Sequence, residues 1–333
     1  MGTRVALDAM GGDQAPAVNV EGAVAAAREL GLSVLLVGEE REINRSLERH
    51  STSGLGIAIC HAPETVDMHE SPSAALRKKK RSSIRIGLEL VKRGDADAFI
   101  SAGNTGAVMA TALFTFGPVP GVERPAIALT VPTLKGHSIL IDVGANVDCK
   151  PRHLLQFAIM ADVYARQIIG KTSPTVGLLS IGEEESKGNE LTREAFKALE
   201  EQPSINFIGN VEGREVFSGA ADIIVCDGFT GNIALKISES AVEFFTVLLK
   251  EELSKGMIGK VGALLARSAF LRFKKRVDYT EYGGAPLLGV KGVCVISHGR
   301  STAKAIKNAI RVAAECAESR VIEHIREGVA VSA

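Results

Sequence analysis

One local pattern constrains this chain most: a short apolar run ends in a turn rich in Gly, Asn and Asp, and a helix follows. Ala98-Phe99-Ile100 leads into Gly103-Asn104-Thr105-Gly106 and an apolar helix from Ala107 to Phe116. Arg4 to Leu7 leads into Asp8-Ala9-Met10-Gly11-Gly12-Asp13, and Ile139 to Ile141 into Asp142-Val143-Gly144-Ala145-Asn146. Asp222 to Asp227 leads into Gly228-Phe229-Thr230-Gly231-Asn232 and a helix from Ile233. Continuous apolar strands separated by helices belong to a mostly parallel sheet covered on both faces. Strands are expected at 4–7, 33–37, 56–60, 98–100, 126–131, 138–141, 175–180, 205–208, 222–226 and 293–297. Helices are expected at 17–30, 39–48, 73–93, 107–116, 151–169, 190–201, 232–253 and 302–326. No helix fits between 126–131 and 138–141, so that pair is expected to be antiparallel.

In open α/β sheets ligands sit beyond the carboxyl ends of the strands. Any one such turn is adequately explained as a tight connection with a helix cap. Four together predict one shared crevice, lined by backbone N–H groups at helix N-termini that suit an anion. There is no Walker loop, and no Gly-x-Gly-x-x-Gly with a following acid, so the usual nucleotide fingerprints are missing. Further polar candidates are Lys187 within 182–190, Lys291 within 283–292, and His298 before Gly299. The 333-residue chain shows no composition break, and is expected to form one unit over 1–333.

Charge and composition narrow the chemistry. Lys+Arg and Asp+Glu both number 39, so no bulk charge favours nucleic acid, and the absence of Trp removes the best base-stacking platform. The five Cys are scattered, as in a reducing cytoplasm. Cys149 lies between Asp148 and Lys150, a polar setting that would favour a thiolate, although a lone loop Cys is seldom a nucleophile. The seven His are dispersed, and neither a metal nor a cofactor is expected. No leader peptide or bilayer-spanning run is seen. Arg77 to Arg81 is a basic run read as the solvated face of a helix. Within 254–276, Met257, Ile258, Val261, Leu264 and Leu265 share one helical side, and Arg267, Arg272, Lys274, Lys275 and Arg276 follow. Such a segment suits a core, a dimer contact or an anionic membrane interface, and the sequence leaves all three open.

The motifs at 6–13, 101–107, 142–148, 187–190, 209–212, 226–232 and 282–285, in this order, resemble the bacterial phosphate acyltransferases from about residue 4 to the last helix. The resemblance implies a three-layer, isopropylmalate-dehydrogenase-like α/β/α fold and a peripherally membrane-associated cytoplasmic homodimer. It implies transfer of a fatty acyl group from acyl carrier protein to inorganic phosphate. The acyl phosphate would feed a membrane glycerol-3-phosphate acyltransferase at the start of phospholipid synthesis. Under it, Asn104, Thr105 and Asn232, with neighbouring Gly N–H groups, would cradle phosphate or the oxyanion. Lys187 and Lys291 would neutralise charge, and His298 would bind phosphate or protonate the departing thiolate. Gly11, Gly12, Gly103, Gly106, Asn146 and Gly231 would complete the phosphate site, with Asp8 and Asp142 orienting donors. The acidic carrier protein would dock on the cations of 267–276 or of 77–81. Gln14, where the family usually has His, and Arg300, where a small residue is common, are departures. Rival expectations are a phosphotransacetylase-like enzyme using acyl-CoA, a dehydrogenase of the same fold, and a noncatalytic scaffold that binds acyl carrier protein.

Overall fold

The computed structural model describes residues 2–277 and 283–331. Tyr282 and the side chains of Lys274 and Lys275 lie outside the described residues. The strands are β1 (Arg4–Asp8), β2 (Ser33–Gly38), β3 (Ile57–His61), β4 (Ala98–Ser101), β5 (Ala126–Thr133), β6 (Gly136–Ile141), β7 (Thr175–Ser180), β8 (Asn206–Glu212), β9 (Ile223–Val225), β10 (Ala285–Leu288) and β11 (Val293–Ile296). They form one 11-stranded sheet in the order β3-β2-β1-β4-β11-β10-β5-β6-β9-β7-β8. The helices are α1 (Ala17–Leu30), α2 (Glu40–Leu47), α3 (Pro72–Lys78), α4 (Ser83–Arg93), α5 (Thr105–Phe116), α6 (Pro151–Tyr164), α7 (Glu190–Glu200), α8 (Gly228–Ser254), α9 (Gly256–Leu265), α10 (Arg267–Val277), α11 (Ala303–Glu318) and α12 (Val321–Val331).

Side chains on a strand alternate between faces. Val5 and Leu7 of β1, with Val293 and Val295 of β11, join one apolar core. Ala6, Cys294 and Ile296 join the other, beside Val108 of α5 and Leu88 of α4. Burying each large aliphatic side chain contributes about 1.5–3 kcal/mol. These two cores make the expected three layers.

The direction of the strands departs from the expectation of a single crevice. β5 and β6 form the expected antiparallel pair, and β10 is antiparallel to both β11 and β5. Thus β1, β4 and β11 run with β5, whereas β6, β9 and β7 run the other way. The polar turns after β1, β4 and β11 therefore gather at one end of the sheet. Those after β6 and β9 gather near the amino-terminal end of β5. Strand β10 was hidden from sequence reading because Gly283-Gly284, Pro286 and Gly289 read as turn residues.

Two expected helices are divided. The stretch 73–93 breaks after Lys78, and Ser82 starts α4 by accepting from the Arg85 backbone N–H. Cations repel along Arg77 to Arg81, so a helix end there relieves like-charge crowding. The stretch 302–326 breaks at Arg320, whose φ of 51° is left-handed. Helix α8 begins at Gly228, so Gly231 and Asn232 are its first turns rather than a loop.

Candidate active site

At the carboxyl ends of β1, β4 and β11, three turns interlock around Asp8. The Asp8 carboxyl is fully buried and accepts from the Ser101 hydroxyl at 2.7 Å and the Met10 N–H at 3.0 Å. Ser101 Oγ in turn accepts the Gly103 N–H at 3.0 Å, tying the turn after β1 to the turn after β4. A Cβ on Gly11 would fall 2.6 Å from Asp8 Oδ2 and 2.6 Å from Gly103 N, so only glycine permits this approach. The third turn joins through the Asp13 N–H, which donates to Gly299 O at 2.8 Å. Asn19 of α1 holds the first turn from below, its amide shared among the carbonyls of Asp8, Ala9 and Gly11. Burial pushes the Asp8 pKa above the usual carboxylate range, and the Ser101 and Met10 donors hold it back.

These turns aim the N-terminus of α5 outward. Asn104 is its cap: Oδ1 accepts from Ala107 N at 3.0 Å. Its Nδ2 donates to the carbonyls of Met68 at 2.9 Å and Glu70 at 2.8 Å, with Asp67 O at 3.3 Å. That amide has only two protons, so the expected direct contact of Asn104 with an oxyanion is revised. Asn104 clamps the β3–α3 loop to α5 and acts as a positioning residue. What α5 retains for a ligand are the N–H groups of Thr105 and Gly106, with the positive end of the helix dipole behind them. His298 stands at the same end, exposed after β11, and its Nδ1 accepts from the Arg300 N–H at 3.1 Å. In the neutral ring this leaves the proton on Nε2. Asp8, Gly11, Gly12, Gly103, Asn104, Thr105, Gly106 and His298 are thus brought together.

The remaining candidates lie elsewhere. Asp142, fully buried after β6, accepts from the N–H groups of Ile127, Gly144, Ala145 and Asn146 and from Asn146 Nδ2. Burial raises its pKa against those donors. Asn146 also donates to Pro125 O at 2.7 Å, so its amide serves this knot. A Gly231 Cβ would fall 1.9 Å from Asp142 O, which makes that glycine a packing requirement. Asn232 lies a turn inside α8 against Gly144. Lys187 is exposed on the loop beyond β7. Lys291 sits at the other end of α5 from Asn104, its N–H donating to Gly117 O at 3.1 Å. A cation there suits the negative end of the helix dipole and cannot neutralise an anion at the opposite end. Cys149 is no thiolate: burial and the Asp142 charge push its pKa up to about 11.

Ser101 and Asn19 were not singled out from sequence. Asn19 carried a signal, being an amide between Val18 and Val20 on an otherwise Ala/Val-rich helix. Of the segment 254–276, no described residue of α9 is buried, and Ile258 is 91% exposed, which removes the core reading. No described helix is long and apolar enough to cross a membrane.

Residues 3–324 match the family described as Fatty acid synthesis protein. The phosphate acyltransferase of Geotalea daltonii is 55% identical over 324 residues, covering 97% of this chain and 93% of its own length. That of Trichlorobacter lovleyi is 56% identical, covering 97% and 94%. Among solved structures, a phosphotransacetylase from Streptococcus pyogenes aligns with a TM-score of 0.62 at 20% identity, covering 95% of this chain and 94% of that one. A 4-hydroxythreonine-4-phosphate dehydrogenase from Salmonella typhimurium, described as putative, aligns at 0.55 and 13%, covering 95% and 99%. At such identities the likeness concerns the α/β fold alone.

Proposed function

The chain belongs to the Fatty acid synthesis protein family, whose close relatives are phosphate acyltransferases, and from that premise we propose that it carries an acyl group from acyl carrier protein to inorganic phosphate. The observation that supports this site for the reaction is the open N-terminus of α5 facing the same mouth as His298, held by the Asp8–Ser101–Gly103 linkage. Phosphate is itself the nucleophile, so no activated Ser or Cys is required. Its oxygen attacks the thioester carbonyl carbon, the C–S bond breaks, and the phosphate hydroxyl proton ends on the thiolate. The Thr105 and Gly106 N–H groups would bind the phosphate dianion or the tetrahedral oxyanion. His298 Nε2 would give its proton to the leaving sulfur and take the phosphate hydroxyl proton in its place. Asp8, Ser101 and Asn104 would position these donors, and much of the acceleration would come from holding two reactants at attack geometry.

The continuous sheet supports treating 1–333 as one catalytic unit, with 254–276 as an amphipathic basic and apolar segment within it. A homodimer at the cytoplasmic membrane face is part of the same proposal. Phe244, Phe245, Leu248 and Leu249 of α8 are exposed and offer a face to a second copy, and Met257, Ile258, Leu264 and Leu265 of α9 offer one to lipid. Leu264→Glu with Leu265→Glu is expected to abolish co-sedimentation with anionic vesicles without lowering Tm; unchanged sedimentation would refute the lipid contact.

The deciding assay is release of carrier-protein thiol from palmitoyl-acyl carrier protein with and without inorganic phosphate. Phosphate-dependent release, with hydroxylamine-reactive acyl phosphate formed in equal amount, is the expected result. Release without phosphate would make the chain a thioesterase. No release from this donor but turnover of palmitoyl-CoA would move the proposal to acyl-CoA.

A further inference from the structure

We propose that Arg77, Lys78, Lys80 and Arg81, around the end of α3, form the docking surface for the acidic carrier protein that delivers the thioester. The inference rests on the donor proposed above, and it selects one of the two basic segments open from sequence. Position is the first argument. The α3 helix is fixed to the mouth of the site, because Asn104 Nδ2 holds the carbonyls that precede it and Pro72 packs where a Gly106 Cβ would stand. At 1.5 Å per residue, Arg77 and Lys78 lie only about 8–9 Å along the helix from that contact. A carrier seated there would face the α5 N-terminus.

Charge is the second argument. Net charge over the chain is zero, so this concentration is local. All four side chains are exposed. Among the described residues, no carboxylate is ion-paired with any of them. Lys79, the fifth of the run, turns inward to Glu70 and Thr65 O, and Glu64 takes the Arg81 backbone N–H rather than its guanidinium. The bland reading is that cations at the C-terminus of α3 favour its dipole. That accounts for Arg77 and Lys78. It fails for Lys80 and Arg81, which lie beyond α3 and immediately before the Ser82 cap of α4, where the next helix disfavours positive charge. A surface that keeps cations against local helix electrostatics suits an acidic partner. Arg300, exposed beside His298, extends the positive rim across the mouth.

The test is the variant Arg77→Glu/Lys78→Glu/Lys80→Glu, none of whose positions touches the reacting groups. With palmitoyl-acyl carrier protein, KM is expected to rise about tenfold or more at low salt, kcat to hold, and the difference from wild type to shrink toward 0.5 M salt on the order of screening. With palmitoyl-CoA as a small donor, or in Tm, little change is expected. Holo-acyl carrier protein binding, followed by calorimetry, should weaken in parallel. Equal loss with both donors, or unchanged carrier binding, overturns the proposal. So does a larger effect of Arg267→Glu/Arg272→Glu. If wild type binds the carrier through this surface yet forms no acyl phosphate, the dock stands and the proposed reaction falls.

Discussion

The Ser101 hydroxyl joins two turns that sequence places 93 residues apart, so Ser101→Ala tests the proposed site most sharply. The substitution removes an O–H donor to Asp8 at 2.7 Å and the acceptor of Gly103 N–H at 3.0 Å. Both groups are buried, so two polar atoms lose partners where water does not reach them. Each such loss costs about 1–3 kcal/mol, and a small void allows some relaxation, for a net of about 2–4 kcal/mol. At about 2 °C per kcal/mol for a chain of this size, Tm should fall by about 4–8 °C. The Asp8 pKa should climb further, because Ser101 is the strongest of the groups holding it down. Activity should fall as well: loosening the α5 N-terminus by a fraction of an ångström should cost about tenfold or more in kcat/KM. Ser138→Ala is the control. Its hydroxyl is buried and donates to Ala221 O at 2.6 Å, but it lies inside β6 away from the mouth. It should lower Tm and leave kcat/KM alone. If Ser101→Ala loses stability but keeps kcat/KM within about twofold, the linkage does not position catalytic donors, and the site assignment fails.

Three other outcomes are expected. Gly231→Ala drives a Cβ into the Asp142 carbonyl and toward Cys226 Sγ, so α8 must shift and urea stability should drop by at least about 1–3 kcal/mol; an unchanged midpoint would refute the close packing. Burial opposes ionisation of Asp222, but the Lys171 ammonium and the Thr175 N–H and hydroxyl outweigh it and lower the pKa. Its stabilisation is therefore present above the ordinary carboxylate range and lost as pH falls through the depressed value. Asp222→Asn should flatten the acid limb of urea stability between pH 5 and pH 2 (about the window given by linkage), and an identical limb would contradict it. Lys187 and Asn232 reach the mouth only if a second copy presents its β6–β9 end there. Mixing Lys187→Ala with His298→Ala protein should then regain about a quarter of wild-type activity, as random C2 exchange allows; no recovery would confine the site to one chain.

Most of the sheet was legible because its central strands, such as β4, β9 and β11, are buried throughout and read as short apolar runs. What escaped reading depended on partners remote in sequence. β10 contains Pro286 between glycines, and it is a strand only because β11 and β5 flank it. Its direction, with the β5–β6 hairpin, reverses half of the sheet. That reversal decides which polar turns meet, and no local pattern encodes it. Helix breaks at Lys79 and Arg320 were likewise invisible, since neither residue is a glycine or proline.

The limit is clearest where two motifs look alike and behave differently. Asp8 ends β1 and Asp142 directly follows β6, and both are buried and gather N–H donors from the turn they begin. A sequence reader has equal reason to place an anion at the helix beside either turn, α5 after β4 or α8 after β9. The difference lies in how the first-turn N–H groups are spent. In α8, Gly228 N donates to Asn146 O, Thr230 N to the Asp227 carboxylate and Gly231 N to Asp227 O. In addition, the Asp227 carboxylate repels a dianion at that end. In α5 the cap is a neutral Asn, whose Oδ1 takes Ala107 N while its carbonyl takes Val108 N. Thr105 and Gly106 are left facing the mouth, with no carboxylate as cap. Asn and Asp are near-equivalent caps for helix stability. For binding phosphate they are opposites, so one atom of side-chain chemistry at position 104 against position 227 favours the α5 end over the α8 end of the same chain as the proposed anion site.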